Sequence, residues 1–390
     1  MADVAFKYVG LAPGDPAPWF KQRTASNPSF VFDSAAGRYI VLCFFGSAAD
    51  PAGRNALRGV QAHRLLFDDE HASFFGISLD PTDEKEKGIA DAAPGIRFFW
   101  DFDGKAGKLY GALPLDPADV KGQVPMRRFW MVLDPSLRVL RVFPLTADGA
   151  EQLALFEYLK TLPAPSRHAG FAIPAPVLVL PNVFEPDLCR ALIDLYETKG
   201  GEPSGFMREE NGKTVLVVDP KHKRRRDILI EDEGLIGKLQ ARVERRIVPE
   251  VKKVHQFTVT RMERYIVSCY AAEEQGHFRP HRDNTTKGTA HRRFAVSVNL
   301  NADFEGGELS FPEYGAQRFK MPAGCAVVFS CSLLHMVSPV TRGKRYAFLP
   351  FLYDDAAARM RIENNKFLDG NVPAYVDPEI VPATAAAAKA

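Results

Sequence analysis

The chain has 390 residues, and at roughly 100–200 residues per domain this excludes one small domain and predicts two or three, each burying its own core. A content of 46% hydrophobic and 25% charged residues is the globular average and excludes a disordered chain. Fifty Lys plus Arg against 48 Asp plus Glu leave a formal charge of +2, too little for a strong grip on polyanions, so neither nucleic acid nor a membrane is an expected partner.

The first residues, MADVAFKYVGLAPGDPAPWF, have no apolar run behind a basic start, and no uninterrupted apolar stretch of about 18 residues occurs, so neither secretion nor membrane spanning is expected. Strand-like runs follow at YIVLCFF (39–45), ASFFGIS (72–78), IRFFW (96–100) and RFWMVLD (128–134), interleaved with longer polar stretches. This alternation predicts an α/β domain over 1–165. Prolines 163, 165, 174, 176 and 181 disfavour both helix and sheet and mark a boundary, with a linker over 166–176. A helix is then predicted at EPDLCRALIDLYETKG, where Leu188, Leu192 and Leu195 share a stripe and Gly200 ends it.

Short strands dominate the remainder of a second domain over 177–356. FAVSVNLN alternates, with Phe294, Val296, Val298 and Leu300 on one face, and predicts a half-buried strand. GELSFP, CAVVFSC and RYAFLPFLY follow between Gly- or Pro-containing turns, which suggests a sandwich or jelly roll. Residues 357–390 form a C-terminal extension whose tail, VPATAAAAKA, is low-complexity and expected to be mobile.

GHFRPHRDN carries the chemistry. His281 and Asp283 are one residue apart, so in extended chain both side chains leave the same face. Two imidazoles and one carboxylate on one edge, with other positions open, are the non-heme Fe(II) pattern. The second imidazole can come from His277, His291 or His335. His335 is favoured, because CSLLHMVSPV is strand-like and expected on the far side of the sandwich, where it would reach across two sheets. Ten residues on, Arg345 supplies a planar fork suited to a carboxylate.

With these residues in place, about 175–355 resembles the 2-oxoglutarate- and Fe(II)-dependent dioxygenases, and within them the prolyl-4-hydroxylase-like branch. VLPNVFEPDLCRALIDLYE, GHFRPHRDN, FAVSVNLN with EGGELSFPEYG, and FSCSLLHMVSPVTRGKRYAF carry the likeness. It implies a double-stranded β-helix (jelly roll) with supporting helices and Fe(II) held by His281, Asp283 and His335. It also implies 2-oxoglutarate as cosubstrate, with Arg345 on its C5 carboxylate and Tyr270 beside it, Tyr265 being the alternative. Retention of Asp283, where related halogenases have a small residue, implies hydroxylation coupled to decarboxylation of 2-oxoglutarate to succinate. Ascorbate as the reductant that keeps iron ferrous, and a peptide, protein or small-molecule substrate besides O2, come with the likeness.

Residues 1 to about 150 resemble the thioredoxin-fold peroxiredoxins, through APGDPAPWF, YIVLCFFGSAADPAGRNAL and MRRFWMVLDPSLRVLRVF. That family's Pro-x-x-x-Thr-x-x-Cys, laid on FFGSAADPAGRN, puts Asp50 at the threonine and Gly53 at the peroxidatic cysteine, while Arg128 matches the peroxide-pocket arginine. A redox-inactive domain is therefore expected, serving as scaffold, recruiting module or homodimer interface.

The five cysteines, Cys43, Cys189, Cys269, Cys325 and Cys331, are scattered and never spaced CxxC, so a reducing cytoplasm is expected. Cys325 and Cys331 read as core residues. His277 and His291 read as solvated loop histidines without a role, and KHKRRRD (221–227) as a solvated loop. Two rivals stand beside the hydroxylase: a non-catalytic iron- or oxygen-sensing adaptor, and a thiol redox protein, which would need Cys43 exposed and acidic.

Overall fold

The computed structural model describes residues 6–86, 89–115 and 125–376. The chain divides into two compact units, Met1–Ala175 with Pro312–Ala316, and Pro176–Phe311 with Gln317–Ala390. The alanine-rich tail lies outside the described residues.

In the first unit a five-stranded sheet runs in the order Ile96–Trp100, Ala72–Ser78, Tyr39–Gly46, Phe129–Leu133, Val139–Pro144. The first three strands are parallel and the last two antiparallel to their neighbours. Every residue of Tyr39–Gly46 is buried, as a central strand covered on both faces requires. Val41, Cys43 and Phe45 pack with Phe74, Trp130 and the helix residues Val60, Leu155 and Phe156. Phe44 lies against Tyr110 and Phe129. This is the thioredoxin-like architecture.

In the second unit a large antiparallel sheet is ordered Arg261–Glu263, Phe351–Tyr353, Phe294–Asn299, Lys344–Phe348, Ile266–Ala271, Arg226–Leu229, Glu202–Pro203. Ala326–Ser330 pairs with Phe294–Asn299 and carries Leu178–Leu180 in turn. The helices Pro186–Lys199, Glu233–Arg246 and Val248–His255 cover one face, where Leu192, Leu239, Val243 and Val251 pack on Val267, Val296, Val298 and Phe348. A smaller sheet, ordered Lys223–Arg224, His277–His281, His335–Val337, Leu309–Ser310, Arg318–Phe319, completes the jelly roll.

The period of two then decides what faces inward. Because Val267, Cys269, Val296, Val298, Tyr346 and Phe348 go to the helices, their neighbours Ser268, Tyr270, Ser297, Asn299 and Arg345 lie on the opposite face. FAVSVNLN is thus buried on both faces rather than half-buried, Ser297 and Asn299 included. The physical reason is that its polar face supplies acceptors to a buried guanidinium.

Candidate metal and cosubstrate site

His281 ends the strand His277–His281 and stands directly opposite His335 in the antiparallel ladder. This corrects the expected route for His335: it comes from the neighbouring strand of the same small sheet, not across two sheets. A cross-strand pair already brings two side chains to about 5 Å, so no longer reach is needed. Asp283 follows two residues after His281, its N–H donating to the Cys331 carbonyl. His281 Nε2 is 3.6 Å from Asp283 Oδ1, and His335 Nε2 is 3.3 Å from Asp283 Oδ2. Ligand atoms of the three residues lie within 4.8 Å of one another.

Both imidazoles are set for metal ligation. His281 Nδ1 donates to the Arg279 carbonyl at 2.8 Å and His335 Nδ1 to the Leu333 carbonyl at 3.0 Å, which leaves both Nε2 lone pairs facing Asp283. Burial first, and His335 beside it, push the His281 imidazole down to about 4, so it is neutral near pH 7. Burial alone would raise the Asp283 carboxyl, but His335 and His281 hold it well below the usual carboxylate range. Two imidazoles and one carboxylate suit a divalent iron with open positions. Phe278 stacks on His281 at 3.5 Å and Phe329 lies 4.7 Å from His335, giving the cluster an apolar wall.

Arg345 lies opposite Tyr270 in the ladder between Lys344–Phe348 and Ile266–Ala271. Its Nη2 donates to Ser297 Oγ at 2.9 Å and Asn299 Oδ1 at 3.1 Å, and its Nε to Asn299 Oδ1 at 3.2 Å. Its Nη1 is buried and has no partner. A buried cation with an unused donor is costly unless an anion completes it, so this guanidinium fits the carboxylate of a dicarboxylate. The Tyr270 ring lies 5.4 Å from it. Tyr265 instead packs on the helix side, its hydroxyl accepting from Gln240 Nε2 at 2.7 Å.

Two expectations are corrected. His291 is not a solvated loop residue: only 1% exposed, it bonds Glu263 at 3.1 Å. KHKRRRD is not a solvated loop either, for Lys223 and Arg225 are buried while the chain passes from the small sheet at Lys223–Arg224 to the large one at Arg226–Leu229. Hydrophobic periodicity could not find them, because both faces of the segment are charged. The usable signal is Lys223, Arg225 and Asp227 at every second position.

Residues 265–353 match the family model of the 2OG-Fe(II) oxygenase superfamily. The matched span contains all three cluster residues, Tyr270 and Arg345. Residues 13–140 match the AhpC/TSA family. Similar curated proteins include a PKHD-type hydroxylase of Pseudomonas fluorescens, 38% identical over 91 residues, and the PKHD-type hydroxylase PiuC of Pseudomonas aeruginosa, 37% identical over 91. Each match takes in 21% of this chain and 39% of the relative, so the chain spans about two fifths of the length of these relatives. Among solved structures, a prolyl-4-hydroxylase of Pseudomonas putida is 17% identical with a TM-score of 0.36, covering 45% of this chain and 91% of that one.

In the AhpC/TSA region the helix Pro51–Ala62 is capped by Asp50, which accepts from the Ala52 N–H at 2.9 Å and pairs with Arg128 at 2.9 Å. Gly53, at the position of the missing thiol, has no room for a side chain: a Cβ there would come within 2.1 Å of the Ser47 carbonyl oxygen. Cys43 is fully buried, and burial pushes its thiol well up. Neither residue offers a thiolate.

Proposed function

We propose that the chain is a 2-oxoglutarate- and Fe(II)-dependent hydroxylase of a peptidyl or amino-acid substrate. The observation that carries this reading is the pairing of the His281–Asp283–His335 cluster, its Nε2 atoms freed by backbone carbonyls, with an Arg345 that keeps one buried donor unused. Fe(II) held by these three residues supplies the activation of O2 that couples 2-oxoglutarate decarboxylation to C–H hydroxylation. The protein's own residues do the rest. Arg345 and Tyr270 anchor the distal carboxylate, Ser297 and Asn299 hold the guanidinium in line, and Phe278, Phe311 and Phe329 border the imidazoles. Ascorbate, as reductant, belongs to the same proposal.

The AhpC/TSA unit is proposed to be redox-inactive, on the burial of Cys43 and the occlusion at Gly53. The test of the main reading is anaerobic Fe(II) loading followed by air, with succinate measured in the wild type and in His335→Ala. Succinate formation that the substitution abolishes is expected. Bound iron without succinate in the wild type, with or without candidate substrates, would favour the sensing adaptor instead.

A further inference from the structure

A cavity of about 290 Å³ has a strongly cationic lining: Lys223, Arg224, Arg225 and Arg226 against Glu274. Arg226 is neutralised by Glu274 at 2.8 Å, and Arg224 binds the carbonyls of Pro220 and Glu274. Lys223 and Arg225 are the unusual pair, each 5% exposed. Among the described residues the direct contacts of the Lys223 ammonium are neutral, Ser204 Oγ at 2.7 Å, the Gly205 carbonyl at 2.6 Å and the Phe278 ring at 4.9 Å, while the Asp227 and Asp283 carboxylates act on it only from beyond contact. Phe278 in turn stacks on His281, so one ring separates this cation from a metal ligand.

Arg225 binds Asp227 at 2.7 Å, Ser204 at 3.1 Å and, less closely, the Tyr270 hydroxyl at 3.4 Å, and its Nε is buried without a partner. Asp227 is shared with Arg264, 3.3 Å away and more open to solvent. Arg264 adopts a left-handed backbone, φ +67°, which is uncommon for a side chain of its size. One carboxylate thus serves two guanidiniums, with a buried ammonium next to them that touches no carboxylate among the described residues. A buried charge of this kind calls for a counterion.

We propose that Lys223, Arg225 and Arg264 form an anion subsite beside the metal centre, which selects substrates carrying a carboxylate near the carbon to be oxidised. An entering carboxylate would complete Arg225 Nε and give Lys223 a carboxylate in direct contact. Burial, which pushes the Lys223 ammonium well down, would be offset by the same event. The proposal rests on the hydroxylase reading and deepens it.

The test uses the full chain loaded anaerobically with Mn(II) and 2-oxoglutarate, so that no turnover occurs. Binding of 2-oxoglutarate is measured first, and its failure would remove the hydroxylase reading itself. The loaded protein is then offered a set of capped pentapeptides carrying Asp or Glu, the same set with Asn or Gln, and the matching free N-acetyl amino acids, with captured ligand quantified by mass spectrometry. Acidic members should be captured roughly tenfold or more above their amides, the scale of a hydrogen bond to a charged group. Peptide or free acid in the captured fraction identifies the source of the carboxylate. Lys223→Met and Arg264→Gln should each reduce the preference to about twofold while 2-oxoglutarate affinity stays within about threefold, which also reports that the variants are folded. The proposal is overturned by equal capture of amides, by no capture of any acid, or by a preference that survives both substitutions. A loss of 2-oxoglutarate affinity as large as the loss of acid capture would overturn it too, assigning these cations to the cosubstrate.

Discussion

Arg345 shows how one residue is prepared for a ligand by what it lacks. Three of its contacts go to Ser297 and Asn299, neutral acceptors that orient the fork without quenching its charge, and Nη1 is left over. Arg345→Ala should weaken 2-oxoglutarate binding by about 1.5–3 kcal/mol, since hydrogen bonds to a charged group are lost. Arg345→Lys should recover only part, because an ammonium cannot reproduce the planar two-bond fork. Titration of the Mn(II)-loaded protein checks both, and an affinity unchanged by the alanine would remove Arg345 from the site. At the cluster, His281→Ala should abolish iron retention measured after desalting.

At the scale of elements, the helix Pro51–Ala62 reverses the usual rule for glycine. Replacing a helical Gly normally stabilises by up to about 1 kcal/mol. At Gly53 the Ser47 carbonyl sits 2.1 Å from where the new Cβ would go, and overpacking of this kind costs about 1–3 kcal/mol. The clash wins, so Gly53→Cys should lower stability in a denaturant titration and should not create a peroxidase. Peroxide turnover by that variant with a thiol donor would show that the turn can open.

The segments around His222, His281 and His291 define an acid limit. Burial is the leading cause at each and depresses all three, His222 and His281 to about 4. An unfolded histidine titrates near 6.5, so between about 6.5 and 4 the unfolded chain binds protons that the native one does not. This stability is therefore fully present above about 6.5 and lost as pH falls towards 4. The metal-free protein should show a Tm that declines across this interval, and a flat profile would contradict the burial of these rings.

For the whole molecule, the core of the first unit, from Tyr39 to Leu162, and that of the second, from Leu178 to Leu352, share no residue. Calorimetry of the full chain should resolve two transitions, and Mn(II) with 2-oxoglutarate should raise only one, by mass action on the unit that binds them. A single transition raised as a whole would mean that the cores melt together.

Features set by short spacing and by apolar period are legible without the fold. The strands at 72–78 and 96–100 are read to the residue, and the HxD pair is a two-residue geometry that needs no fold. Tertiary structure alone decided which partners meet. His335 reached His281 by ladder register, Tyr270 was separated from Tyr265 by the face each strand turns to the helices, and the polar side of FAVSVNLN was turned inward to hold Arg345. Lys223 and Arg225 were hidden for the same reason: charge on both faces of the segment silences the apolar period, and only the crossing from one sheet to the other buried them.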